Sequence, residues 1–151
     1  MRHNPRMSDV SLRLAESRDA EGIAECIRAA YSIYASRIHD LPAVSEGIPE
    51  AIEHSRVWVV EREGRIVGAM ILVPEHDCMV LENIAVIPEC AGMGLGRTLI
   101  GRAEQDCVAL GLREIQLSTH KDMPENVAIY SRLGWKETGR SGTKVHMSKA
   151  V

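Results

Sequence analysis

Apolar residues recur along this chain with two different periods, and the switches between them lay out its elements. VSLRL, Val10 to Leu14, reads as a short strand. Ile23, Ile27, Ala30, Tyr31 and Tyr34 then fall at helical intervals, with Ser17 or Asp19 placed to cap that helix. A break is expected near Pro42, followed by a weaker helical stretch, AVSEGIPEAIEHS, interrupted by Gly47 and Pro49. The middle of the chain changes to strand-like patterning: RVWVVERE and RIVGAMILVPE are rich in β-branched residues and meet at Glu63-Gly64, a compact hairpin turn. CMVLENIAVI follows His76-Asp77 as a third strand.

Helical spacing returns at Leu95, Leu99, Ile100, Ala103, Cys107, Val108 and Leu110, with Gly111 as the left-handed residue that ends a helix. EIQLST is strand-like, and PENVAIYSRL is a short helix opened by Pro124 and closed by Gly134. WKETG and KVHMSK predict a closing hairpin across Arg140 to Gly142. The order is strand, two helices, three strands, helix, strand, helix, two strands. That order is α+β, with one strand-helix-strand crossover.

The chain has 151 residues, enough to bury a core without disulfides or metals, and no linker or repeat divides it. Residues 10–151 are read as one domain and residues 1–9 as a loose arm, with Met7 as an alternative start. With Phe absent and only two Trp and three Tyr, aliphatic side chains must fill the interior. A net charge of -3 lacks the footprint of a nucleic-acid binder. Cys26, Cys78, Cys90 and Cys107 are irregularly spaced with no Cys-x-x-Cys pair, which argues against a metal site and a disulfide framework and for reduced thiols. No signal-peptide core or membrane-spanning run is present, so a cytoplasmic protein without a membrane partner is expected.

The chemistry concentrates in AVIPECAGMGLGRTLI. Gly92, Gly94 and Gly96 precede or open a helix whose first amides lack intrahelical partners, and bare backbone lets an anion approach them. Arg97 adds a positive charge and Thr98 a hydroxyl, and no acidic residue occurs from Cys90 to Arg102. A phosphate fits there; a glycine-rich packing turn is the alternative. The dinucleotide fingerprint fails because Arg97 takes the third glycine's place and EIQLSTH ends without an acidic residue for a ribose. The nucleotide P-loop fails because Ala91 and Arg97 stand where it needs a glycine and a lysine.

VIPECAGMGLGRTLI resembles the acetyl-CoA loop of the GNAT superfamily of N-acetyltransferases, Gln/Arg-x-x-Gly-x-Gly/Ala, with the register falling on Ala91 to Gly96. Ala91 departs from that pattern, removing a side-chain contact but no backbone donor. LENIAV resembles the family's central strand, and HKDMPENVAIYSRLGW its second cofactor motif. The resemblance covers Val10 to Lys149 and implies a mixed, mostly antiparallel twisted sheet of about seven strands with about four helices. It implies acetyl-CoA as co-substrate and transfer to a primary amine of a small molecule or peptide within a ternary complex, with a homodimer left open.

The resemblance also assigns site residues. Loop contacts to the cofactor fall on Ala91, Gly92, Met93, Gly94, Leu95, Gly96, Arg97 and Thr98, strand contacts on Ile84, Ala85 and Val86, and a contact near the pantetheine arm on Asn126, for which a simple helix cap is the alternative. Amine acetylation needs a base for the ammonium and an acid for the departing thiolate. Glu82 is the candidate base, its pKa expected to rise by burial in an apolar strand, with a solvated or paired carboxylate on the strand's polar face as its alternative. Tyr130 is the candidate acid, with core packing under Trp135 as its alternative. Tyr31 and Tyr34, with Arg37, are candidates for the acceptor pocket, and the core of the first helix is the other reading of the two aromatics. His120 and His146 are read as structural or exposed, and Cys90 as a passive thiol. A non-catalytic acyl-CoA-binding module on the same fold and a nucleotide-binding oxidoreductase or NTPase are the rival functions.

Overall fold

A computed structural model describes residues 10–34 and 46–151 of the chain. The N-terminal arm, the break near Pro42 and Arg37 lie outside the described residues. The elements follow the predicted order: β1 (Val10–Leu14), α1 (Ala20–Tyr31), α2 (Ile48–His54), β2 (Arg56–Arg62), β3 (Arg65–Pro74), β4 (Met79–Val86), α3 (Leu95–Ala109), β5 (Glu114–His120), α4 (Pro124–Arg132), β6 (Lys136–Ser141) and β7 (Lys144–Ala150). Glu63 (φ 52°) and Gly64 (φ 78°) form the β2–β3 turn, both left-handed as the twist of a tight hairpin requires. Gly111 (φ 75°) and Gly134 (φ 97°) end α3 and α4. Among the described residues no helix is long and apolar enough to cross a membrane.

The strands form one sheet in the order β1-β2-β3-β4-β5-β7-β6. Every neighbouring pair is antiparallel except β4 with β5, which run parallel because α3 carries the chain across between them. The final hairpin forms, but its turn falls at Gly142-Thr143 and not across Arg140 to Gly142, since Ser141 still pairs with Lys144. Its second strand, β7, inserts between β5 and β6, with Leu117 opposite Met147 and Thr119 opposite Val145.

Helices cover both faces of the central strands. Ala69 and Ala85 pair across β3 and β4, and Cys26 of α1 brings its Sγ within 4.0 Å of the Ala85 carbonyl. Gly68, the next residue along β3, faces the other way, toward Leu99 of α3. The core between these layers is aliphatic and sulfur-rich, as the scarcity of aromatics demands: Ile23, Ile27, Met70, Leu72, Met79, Leu99, Ile115 and Met147 are buried.

Two buried carboxylates were invisible to a reading based on apolar spacing. One is Asp106 of α3, which faces Arg56 and Trp58 of β2. Asp19 does not cap α1 through a bond to an α1 amide; a 3-10 turn, Ser17–Asp19, precedes that helix, and the Asp19 carboxylate accepts from the Glu16 amide at 2.7 Å. The Arg13 guanidinium holds both of its oxygens, at 2.8 and 3.0 Å, and also reaches Glu61 at 2.8 Å, tying β1, β2 and the start of α1 together.

Hydrogen bonding from Arg13 lowers the Asp19 pKa below its ordinary value. A depressed carboxylate contributes stability above the unfolded value of about 4, lost as pH falls through the folded value. Asp19→Asn is therefore expected to cost about 1–3 kcal/mol at pH 7 and to flatten the acid limb of stability. Thermal melts at pH 7 and pH 3 check this, and equal losses on acidification in both proteins would refute it.

Candidate active site

The site begins where the sheet opens. β4 and β5 pair only at Met79–Ile115 and Val80–Gln116, and beyond Val80 the two strands carry no further pairing. On its other edge β4 stays bound to β3 as far as Val86. Antiparallel partners alternate between bonded and non-bonded pairs. The Ile87 amide donates to the Val67 carbonyl at 3.0 Å, so the peptide groups of Ala85 and Asn83 also turn toward β3. Those of Ile84 and Val86 therefore turn into the gap. Of the three strand residues assigned to the cofactor, Ile84 and Val86 border the opening with backbone donors and acceptors, whereas Ala85 is buried against β3.

Glu82 sits in the same strand as an extra residue. Ile71 pairs with Asn83 and Leu72 with Leu81, which leaves Glu82 in a β-bulge at the start of the splayed segment. The bulge lifts its side chain out of the sheet. Glu82 is exposed, so the burial expected of it in this strand is absent. An exposed carboxylate beside the opening retains access to water, through which it can take up a proton.

The glycine loop follows β4 directly. Gly92 (φ 84°) and Gly94 (φ 81°) are left-handed, and the chain enters α3 at Leu95, which anchors the loop in the core. Gly96 has no such backbone need, and a Cβ at Gly92, Gly94 or Gly96 would meet open space. The Ala91 and Met93 amides are spent on Pro88 and Cys90. Those of Gly92, Gly94, Leu95, Gly96 and Arg97 have no backbone acceptor among the described residues, since the first bond of the helix is Thr98 N–H to the Gly94 carbonyl at 3.1 Å. The Thr98 hydroxyl also donates to the Gly94 carbonyl, at 3.0 Å, and Arg97 is exposed. A cradle of amides with bare α-carbons suits a diphosphate. Arg62 of β2, to which the sequence assigned nothing, reaches this loop.

Across the opening stands α4. Asn126 is not its cap, for Met123 holds that position; the Asn126 side chain donates to Thr119 Oγ1 at 3.4 Å and so ties α4 to the end of β5. Tyr130 packs edge-on against Trp135, with ring centroids 5.8 Å apart, so the core contact weighed as its alternative is real. Burial raises the Tyr130 pKa, and the neighbouring phenols of Tyr31 and Tyr34 raise it further. Tyr31 and Tyr34 lie 6.3 Å apart, centroid to centroid, at the end of α1 and in the turn after it. Burial raises the Tyr31 pKa as well. The fold thus gathers all three tyrosines of the chain, residues distant in sequence that spacing arguments treated separately.

The remaining titratable candidates are tied up in local bonds or buried. His146 is held at both ring nitrogens, by Ser118 Oγ at 2.7 Å and Ser141 Oγ at 2.8 Å, and the His120 Nδ1 accepts from the Asp122 amide at 3.0 Å. All four cysteines are free and buried, and burial pushes the Cys26 thiol up to about 12.

An uncharacterized N-acetyltransferase of Escherichia coli K12, YjgM, is 31% identical over 83 residues, covering 52% of this chain and 50% of that protein. The chain spans about half the length, or less, of the curated relatives it matches. Among solved structures, the PaiA N-acetyltransferase of Thermoplasma acidophilum, in complex with coenzyme A, has a TM-score of 0.86 at 18% identity, covering 94% of this chain and 99% of that one. The ribosomal-protein-S18-alanine N-acetyltransferase of Escherichia coli has a TM-score of 0.76 at 19% identity, covering 93% of each chain. These two are likenesses of fold. The profile of the acetyltransferase (GNAT) family matches residues 23–135, which contain the splayed strands, the glycine loop and α4. The chain belongs to the GNAT acetyltransferase family.

Proposed function

We propose that this protein is an acetyl-CoA-dependent N-acetyltransferase that acetylates a primary amine of a small molecule or peptide by direct transfer in a ternary complex. The observation that carries the reading is the join between the opened sheet and the glycine loop. Pairing of β4 with β5 ends at Val80, the peptide groups of Ile84 and Val86 face the gap, and the unbonded amides of Gly92 and Gly94–Arg97 follow within one turn of chain. An amide-bearing arm ending in a diphosphate suits both halves of that arrangement. That a structural neighbour of the same fold holds coenzyme A supports the choice.

Bound acetyl-CoA would supply an acetyl group activated as a thioester; the chain supplies position and proton movement. Ile84 and Val86 would hold the arm by backbone bonds, and the loop amides would hold the diphosphate. Glu82, exposed on its bulge, would take a proton from the acceptor ammonium through water, since only the neutral amine is nucleophilic. Tyr130 stays protonated across the neutral range and would give its proton to the departing sulfur. Tyr31 and Tyr34 would line the acceptor side beside it.

Calorimetric titration with acetyl-CoA, with NADH and ATP as controls, tests the cofactor assignment, and amine-dependent release of CoA tests the reaction. Saturable binding selective for acetyl-CoA is expected, near micromolar strength, or about 8 kcal/mol. Binding with no turnover over a broad amine panel would favour a non-catalytic module, and preference for NADH or ATP would overturn the assignment.

A further inference from the structure

Resting on the reading of the glycine loop as a diphosphate cradle, a further role falls to Arg62. Ala91 occupies the loop position where the resemblance has Gln or Arg, so the loop supplies no polar side chain there. Arg62 comes to the loop from the end of β2. Its Nη1 lies 3.7 Å from Met93 Sδ and 3.9 Å from Cys90 Sγ, and its Nε is buried with no hydrogen-bond partner. Sulfur is a weak acceptor, and a guanidinium keeps its charge at every pH at which a protein is folded.

Of the carboxylates near Arg62, Glu61, adjacent on β2, is held by Arg13 at 2.8 Å, and Glu89, just before Cys90, pairs with Arg65 at 3.4 Å. Glu63, on its other side, is exposed in the β2–β3 turn and forms no ion pair with it. Arg62 has no ion-pair partner among the described residues. A half-buried cation facing two sulfurs is unfavourable by itself, and an orphaned buried donor calls for a reason. The loop it touches has open space at the α-carbons of Gly92, Gly94 and Gly96 and five amides without a backbone acceptor among the described residues, so an anion bound at the loop would lie near both the amides and Arg62.

We propose that Arg62 supplies the side-chain cation for the CoA diphosphate, replacing from β2 the contact that Ala91 cannot make. Its planar group carries several donors, so the side chain can pack on Met93 and Cys90 while its outer nitrogens meet phosphate oxygens.

The test is calorimetric titration of CoA and of 3′-dephospho-CoA into wild-type protein, Arg62→Met and Arg62→Lys, with thermal melts of each protein free of ligand. Arg62→Met is expected to bind both ligands roughly 10- to 100-fold more weakly, with Arg62→Lys in between. Free of ligand it should melt at or above the wild-type temperature, because an uncompensated cation is gone. If the wild type binds CoA and Arg62→Met binds it equally well, the role of Arg62 falls while the loop reading stands. A penalty that disappears with 3′-dephospho-CoA would move the cation to the ribose phosphate, and a lower melting temperature of ligand-free Arg62→Met would make it structural; either overturns the proposal. Failure of the wild type to bind CoA would remove the loop reading and this inference together.

Discussion

Tyr130→Phe is expected to lower the rate of acetyl transfer roughly 10²- to 10⁴-fold, the range attributable to one positioned general acid. The substitution deletes only the hydroxyl and keeps the ring that packs on Trp135. Stability should therefore change by about 1 kcal/mol or less, and acetyl-CoA affinity little, so the loss should appear in kcat. The loss of kcat separates this role from a packing role, which would leave the rate of the phenylalanine variant unchanged. Burial raises the Tyr130 pKa, so the phenol holds its proton above its ordinary value of about 10 and contributes no alkaline fall in rate between pH 7 and about 9.5. The same shift predicts a stability term that is present below the unfolded value near 10 and is lost as pH rises through the higher folded value. Steady-state kinetics with melts across pH check both, and a variant retaining kcat within about twofold would end the assignment of Tyr130 as the acid.

Asp106→Ala should produce the largest loss of stability. Asp106 is 5% exposed in α3, where its carboxylate accepts from Trp58 Nε1 at 2.7 Å and Arg56 Nε at 3.0 Å and lies 3.6 Å from Arg102 Nε. The Arg102 guanidinium in turn stacks 5.0 Å above the Trp58 ring. Deleting the acceptor strands the Trp58 indole N–H and leaves the Arg56 and Arg102 guanidiniums without their carboxylate, a situation that costs about 3–5 kcal/mol. For a chain of this size that lowers Tm by roughly 6–20 °C. Asp106→Asn, which keeps an acceptor oxygen for Trp58 but loses the charge, should fall between. A melt of Asp106→Ala within about 2 °C of wild type would show that the network contributes little.

These two residues differ in how far the chain alone discloses them. Tyr130 is legible because it sits in a motif: Pro124 opens α4, Gly134 closes it, and the flanking residues match a family pattern. Asp106 is illegible because apolar spacing marks the buried stripe of α3 by Leu99, Ile100, Ala103 and Cys107, and a carboxylate on that stripe reads as solvated until Trp58 and Arg56 are brought to it from β2. Asp19 takes the N-cap position of α1, as its short side chain predicts, but makes no cap bond because Arg13 claims both oxygens, a partner that only the fold brings to it. Glu82 was legible as a carboxylate beside the cofactor strand, but its exposure was not, because the bulge depends on a mismatch of register between β3 and β4.

What the chain determined by itself is local: the succession of strands and helices, the Glu63-Gly64 turn, and the glycine loop with its unbonded amides at the start of α3. Periodicity, turn chemistry and bare backbone act over a few residues, so they can be read from order alone. What only the tertiary structure decided is which of these pieces meet. The insertion of β7 between β5 and β6, the parting of β4 from β5 after Val80, the gathering of Tyr31, Tyr34 and Tyr130, and the approach of Arg62 to the loop all join residues far apart in the chain. Such contacts are set by strand pairing and by burial of complementary faces, quantities that no single segment carries.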